Sequence, residues 1–274
     1  MIRVAEAIGV SRSNLLRRRQ PAMATEPVGY IQDGDAQLLE RVRPVVDQRG
    51  SYGYRRVAAL LNRDHGVPKV NHKRVYRVMR AAGLLLQRYT GKSTRTHDGK
   101  IITLKSNMRW CSDSFEIRCW DGQRVQVAFA LDCCDREVMA WVATTAAITG
   151  EMVRDLMAES VEARFGATAR RTPHPVQWLS DNGPPYTANE TREFGEAAGL
   201  VVCTTPAYSP ESNGMAEAFV KTFRRDYVYL NRLDAAEEVM RALASWFEDY
   251  NSHHPHKGLN MLSPRAFRLQ TATC

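Results

Sequence analysis

RWCSDSFEIRC, residues 109–119, reads as an extended strand with one apolar face: Cys111, Phe115 and Ile117 share it, because successive side chains of a strand point to opposite sides. Asp113 falls on that same face. A carboxylate among apolar neighbours is costly to desolvate unless it meets a cation or a donor. Asp113 is therefore a strand-end group reaching water, the partner of a buried arginine, or a ligand.

Downstream of this strand the pattern stays extended. Val125 to Cys133 and Val138 to Ala143 form two more apolar strands, with turns at Asp121-Gly122 and Asp135-Arg136. The pattern then alternates: a helix near Gly150 to Arg164, a strand at Val176 to Ser180, a helix near Glu190 to Ala198 and a strand at Leu200 to Thr204. Helices over Gly214 to Leu230 and Ala235 to Tyr250 complete it. A three-strand meander followed by αβαβα predicts an α/β fold, a mixed five-stranded sheet flanked by helices, compatible with the ribonuclease H-like arrangement. This core is expected over residues 108–270.

Upstream the composition changes. Residues 1–100 hold 20 Lys+Arg against 8 Asp+Glu, and residues 101–274 hold 18 against 22, so the net charge of +8 belongs to the first third of the chain. Such a segment attracts polyphosphate by counterion release. Residues 1–34 suggest a partial helix-turn-helix around Val4, Ala7, Ile8, Leu15 and Leu16, then a Pro/Gly link. Residues 35–86 predict an all-α helix-turn-helix DNA-binding region, with Val57, Leu60 and Leu61 on one helix and Val75, Val78, Met79 and Ala82 on the next, capped by Asn71. Lys73, Arg77 and Arg80 are expected on the outer face of that second helix, where a recognition helix meets phosphates and base edges. Residues 87–107 read as a basic linker.

No run approaches the ~18 apolar residues of a membrane span, and no signal-peptide core opens the chain, which predicts a cytoplasmic, nucleoid-associated protein with no membrane partner. The six cysteines lack CxxC spacing and read as reduced thiols rather than a zinc site.

Two further carboxylates stand out. Asp181 directly follows the strand VQWLS and precedes Asn182-Gly183, a turn that leaves it at the carboxyl end of a strand, where ligands of open α/β sheets gather. Glu217 lies in the first turns of a helix with the inward stripe Met215, Phe219, Phe223, Tyr227 and Leu230, and it is followed at i+4 and i+7 by Lys221 and Arg224. Asp, Asp and Glu together could supply the oxygen ligands that two divalent ions need for in-line phosphoryl displacement. Lys221 and Arg224 would then hold DNA phosphates nearby.

The sequence resembles the second-frame (OrfB) transposases of the insertion-sequence-three family, DDE transposases with cores similar to retroviral integrase. RWCSDSFEI carries the first Asp of that family at Asp113 and QWLSDNGPPYTA the second at Asp181. AYSPESNGMAEAFVKTFRRDY carries Glu217, with 35 residues between it and Asp181. SYGYRRVAALL with VNHKRVYRVMRAAGL resembles the family's helix-turn-helix, and YNSHHPHKGLNMLSPRAF its C-terminal signature. Pro184 departs from the small polar residue common there.

The resemblance implies metal-dependent 3′-end nicking and strand transfer at the ends of a bacterial insertion sequence. It implies Asp113, Asp181 and Glu217 as catalytic ligands of two Mg²⁺ ions, with Mn²⁺ able to substitute, and terminal inverted repeats and target DNA as partners. It further implies a homo-oligomer on DNA and a segment supplied by an upstream frame. A hybrid-cleaving ribonuclease of the same fold and a non-enzymatic repressor are the competing expectations.

Overall fold

The computed structural model describes residues 32–64, 66–86, 103–205 and 213–272. The expected helix-turn-helix fragment near the start and most of the basic linker lie outside them.

The first described unit is a three-helix cluster: α1 (Asp35–Gln48), α2 (Tyr54–Leu61) and α3 (His72–Ala81). Leu38 and Val42 of α1, Val57 and Leu61 of α2, and Val75, Val78 and Met79 of α3 make its core. The sequence pattern anticipates α2 and α3 but not α1, which carries Pro44 inside it. Asn71 caps α3 as expected, its side chain accepting the Lys73 N–H at 2.9 Å.

The second unit is built on five strands, β1 (Arg109–Arg118), β2 (Arg124–Asp132), β3 (Val138–Thr144), β4 (Val176–Ser180) and β5 (Leu200–Thr204), in the order β3-β2-β1-β4-β5. The β1, β2 and β3 pairings are antiparallel, while β4 runs parallel to β1 and β5 parallel to β4. This is the mixed ribonuclease H-like sheet that the pattern predicted.

One sheet face, with Trp110, Ala128, Ala130, Val176 and Trp178, packs on α4 (Gly150–Phe165). Two further helices, α5 (Pro184–Thr187) and α6 (Asn189–Ala197), lie between β4 and β5. The other face, with Cys111, Phe115, Ile117 and Phe129, packs on α7 (Gly214–Asp226) and α8 (Ala236–His253). A final helix, α9 (Pro264–Ala272), contacts α8.

The expected helix from Gly214 to Leu230 ends earlier, at Asp226, and a 3-10 turn covers Val228–Leu230. Leu230 is consequently 49% exposed rather than part of the inward stripe. The helix stops where the chain is captured by other groups: Tyr227 donates to Asp249 Oδ2 at 2.9 Å, and Asp226 accepts from Ser51 and Arg56 of the three-helix unit.

Those contacts belong to a polar seam that fastens the two units together. Arg49 forms a two-pronged pair with Asp249, both bonds 2.6 Å. Tyr52 and His254 share a hydrogen bond of 2.9 Å, and Arg63 donates to the His253 carbonyl. Among the described residues no helix is long and apolar enough to cross a membrane, and the five described cysteines are free.

Candidate active site

β1 carries Asp113 on the face toward α7, as alternation requires, and it pairs with β4 only over Arg109, Trp110 and Cys111. Beyond Cys111 that edge of β1 is open. The opening is a cleft of about 430 Å³ lined by Asp113, Ser114, Glu116, Glu217, Lys221 and Arg224, among others. Asp181 stands at the carboxyl end of β4, the strand beside β1.

Local chemistry fixes each carboxylate. Asp113 Oδ1 accepts the Ser114 N–H at 2.7 Å. Asp181 Oδ1 accepts the Gly183 N–H at 3.1 Å, and Asn182 pins the same turn by donating to the Thr205 carbonyl. A Cβ at Gly183 would lie 3.1 Å from Asp181 Oδ1, so a side chain there would press on the carboxylate. Pro184 takes the first position of α5, where its fixed φ suits a helix start. Glu217 leans on Lys221 at 3.3 Å, with 43% of its side chain exposed.

Asp113 feels the other two acids. Burial, and after it the charges of Asp181 and Glu217, push Asp113 up to about 6, against the Ser114 N–H that draws it down. Burial and adjacent negative charge both disfavour a carboxylate unless a cation arrives. All three groups offer hard oxygen donors, the set a divalent ion of the Mg²⁺ kind takes, so the residues fit such an ion. As they are arranged, no three acidic, His or Cys side chains among the described residues enclose an ion. Lys221 is the cation that Glu217 meets.

Of the basic residues singled out from sequence, Lys73 and Arg80 lie on the exposed face of α3. Arg77 does not join them. Its guanidinium turns to Asp35 (2.9 Å) and Gln32 (3.0 Å), next to an Arg74 bond to the same carboxylate, so it helps hold α3 on the start of α1. Tyr76, 39% exposed, takes the place between Lys73 and Arg80. Lys221 is exposed at the cleft, but Arg224 is half-buried, donates to the Glu116 carbonyl at 3.2 Å and lies over the Phe115 ring.

Sequence reading passed over three residues that shape the cleft. Buried Ser112 donates through Oγ to the Tyr186 hydroxyl at 3.2 Å and accepts from Asn213 Nδ2 at its carbonyl, also 3.2 Å. Burial, mainly, raises the Tyr186 hydroxyl above its usual range, and the charges of Asp113 and Asp181 add to it. The only sequence signal was position: Ser112 beside Asp113, Tyr186 five residues after Asp181, and Asn213 four before Glu217.

A ribonuclease H-like sheet with three acids gathered at the ends of β1 and β4 and the start of α7, fastened to a small helical unit, defines an integrase-type polynucleotidyl transferase. Family models agree: an integrase core domain matches residues 104–210 and a second one 201–264, and an HTH-like domain matches 33–92. Transposase InsD of insertion element IS2A/D/F/H/I/K from Escherichia coli is 44% identical over 277 residues, covering 98% of this chain and 91% of the relative. InsD of IS2-9 from strain K12 has the same identity and covers 89% of its own length. Among solved structures, a chain of the simian T-cell lymphotropic virus intasome in complex with PP2A regulatory subunit B56 gamma aligns with a TM-score of 0.51 at 16% identity, over 85% of this chain and 74% of that one. That likeness shows the fold alone. The chain belongs to the InsD family of insertion-element transposases.

Proposed function

We propose that this transposase is a DDE enzyme of the OrfB type, which nicks DNA at the 3′ ends of a bacterial insertion sequence and joins those ends to a target, with Asp113, Asp181 and Glu217 as its metal ligands. The observation that carries the reading is half-buried Asp113, which burial and then the charges of Asp181 and Glu217 press upon, beside a Glu217 whose basic contact, among the described residues, is the exposed Lys221. Two Mg²⁺ ions, or Mn²⁺ in their place, would supply Lewis-acid stabilisation of the attacking and leaving oxygens.

The chain's own residues do the rest. Gly183 and Asn182 hold the Asp181 turn, and Ser114 orients Asp113. Lys221, released from Glu217, is free to meet a DNA phosphate at the cleft. The chemistry is two displacements at phosphorus. Water first replaces the 3′ oxygen at the element's end, leaving a 3′-hydroxyl. That hydroxyl then attacks a target phosphodiester, one P–O bond forming as another breaks.

Lys73 and Arg80 on α3 are the proposed contacts to terminal repeats, with Arg77 supporting the helix from behind. We place the domain limits at 1–34, 35–86, 87–107 and 108–270, and propose that the chain works as a homo-oligomer on DNA, in the cytoplasm and at the nucleoid, with a segment from an upstream frame.

End-labelled duplex carrying the element's terminal repeats, incubated with the protein, Mg²⁺ and a second duplex, tests this. Labelled strands joined to the second duplex are the expected product. Cleavage confined to the RNA of a hybrid, or binding without any cleavage, would overturn the proposal.

A further inference from the structure

The open edge of β1 must satisfy its backbone polar groups without a neighbouring strand, because a buried N–H or C=O left unpaired loses its water without a replacement. Ser112, Ser114 and Glu116 alternate along that edge, so their backbone groups point the same way. Three of these groups have partners, and none of the partners is a strand. The Ser112 carbonyl accepts from Asn213 Nδ2, the Ser114 N–H donates to Asp113 Oδ1, and the Glu116 carbonyl accepts from Arg224. Asn213 immediately precedes α7 and Arg224 is in its last turn. Helix α7 is thus clasped at both ends to the strand edge, four residues apart on β1, and Glu217 lies between the two clasps.

We infer that Asn213 and Arg224 are positioning residues that dock α7 in place of a missing strand and thereby hold Glu217 beside Asp113. Ser112 joins the third acid to the same frame, since its Oγ bonds to Tyr186, on the short helix that follows Asp181. The side-chain chemistry suits the task. A carbonyl only accepts, so Asn213 must present its NH₂ to Ser112. Asn213 and Ser112 are both buried, which keeps water from replacing that bond. Arg224 reaches the edge from above the Phe115 ring, so its guanidinium is committed to β1. This inference rests on Glu217 being a metal ligand. It reassigns Arg224 from DNA phosphate to backbone clasp.

The test uses the full chain and a Mg²⁺ titration of cleavage on labelled element ends. Asn213→Asp keeps the shape but turns an oxygen toward the Ser112 carbonyl, and Arg224→Gln removes both the charge and the reach to the Glu116 carbonyl. Asn213→Asp is expected to raise the Mg²⁺ concentration for half-maximal cleavage about tenfold or more, the usual consequence of losing a group that orients a metal ligand. The KM for DNA should stay at the parent value. Arg224→Gln, too short to reach the Glu116 carbonyl, should raise the Mg²⁺ requirement in the same direction and likewise leave the KM for DNA at the parent value. Hydrogen exchange of the metal-free protein should quicken at residues 112–116 in both variants, and at 214–218 most in Asn213→Asp. That local readout also separates a loosened clasp from general unfolding.

A parent-like Mg²⁺ requirement in Asn213→Asp or in Arg224→Gln would overturn the inference for that residue. So would an Arg224→Gln chain whose KM for DNA rises and whose salt dependence weakens, the mark of a phosphate ligand. Glu217→Gln is run alongside. If it cleaves as the parent does, the metal reading of Glu217 falls. If it is inactive while Asn213→Asp needs no extra Mg²⁺, the clasp alone falls.

Discussion

Helix α7 carries a carboxylate near each end, and the two have opposite surroundings. Asp226, its side chain only 1% exposed, is saturated: Ser51 and Arg56 reach it from the three-helix unit, and Arg225 forks onto both its oxygens at 2.6 Å. Glu217 has the exposed Lys221 and shares a cleft with Asp113. The same contrast holds for their neighbours. Burial raises Asp249, but the hydrogen bonds and charge of Arg49 and the Tyr227 hydroxyl outweigh it and hold that carboxyl below its usual range. Asp113 is pushed up to about 6, with the Ser114 N–H alone opposing burial and its acidic neighbours. Within one fold, acids that meet arginines fasten parts together, while the cleft acids are left short of cations.

The largest expected effect lies at the fastened end. Asp226→Ala leaves Arg56 and Arg225 without their partner, and losing one member of a buried pair costs about 3–5 kcal/mol. Half-exposed Arg225 can turn to water, so about 3 kcal/mol is expected. Chemical denaturation should show it, with the three-helix unit becoming protease-sensitive before the core. An unchanged midpoint would remove the seam from the comparison.

Acid should loosen the same seam. Burial chiefly, with nearby positive charge, holds His254 well below its usual range and His256 down to about 3. Both therefore stay neutral when folded, while the unfolded chain takes up protons below pH ~6.5. The folded state binds fewer protons in that window, so stability falls as pH drops from about 6.5 toward 3. Each histidine contributes about 1 kcal/mol of loss between pH 6.5 and 5.5. Thermal melts over that range, with His256→Gln showing the shallower decline, would check the sign.

The smallest effect is a gain. Asp113 has a raised folded value, so its ionisation opposes folding above pH ~6, and without metal Asp113→Asn should stabilise the chain at pH 7.5. After solvent screening of a half-buried group, about 1 kcal/mol is expected. The gain should shrink as pH falls below 6, where the parent carboxyl becomes neutral. Destabilisation at pH 7.5 would mean that Asp113 is better compensated than its surroundings indicate.

Much of this contrast was legible in the sequence. The alternation of Cys111, Asp113, Phe115 and Ile117 placed an acid on the apolar face of β1, and VQWLS followed by Asp-Asn-Gly placed Asp181 at a strand end. β4 and β5 came out with their predicted limits. What failed was long-range. Nothing local says that α7 must stop at Asp226, because the groups that stop it are Ser51 and Arg56, 175 and 170 residues away. Arg77 and Arg224 looked like DNA contacts by helical spacing, yet Asp35 and the Glu116 carbonyl claim them. Spacing gives a face, and only packing reveals which of its cations are already engaged. Helix α1 holds Pro44 in its interior, a residue that by itself disfavours a helix, while Leu38, Val42 and Val45 keep its apolar face packed.

The central claim is that the cleft acids form a cation site and the seam acids do not. Titrating Mn²⁺ into the full chain without DNA, and following the free ion by its paramagnetic resonance signal, measures this directly. The account predicts binding by the parent chain, its loss in Asp113→Asn, and its retention in Asp226→Asn despite lower stability. Equal Mn²⁺ binding by the parent and Asp113→Asn would contradict it.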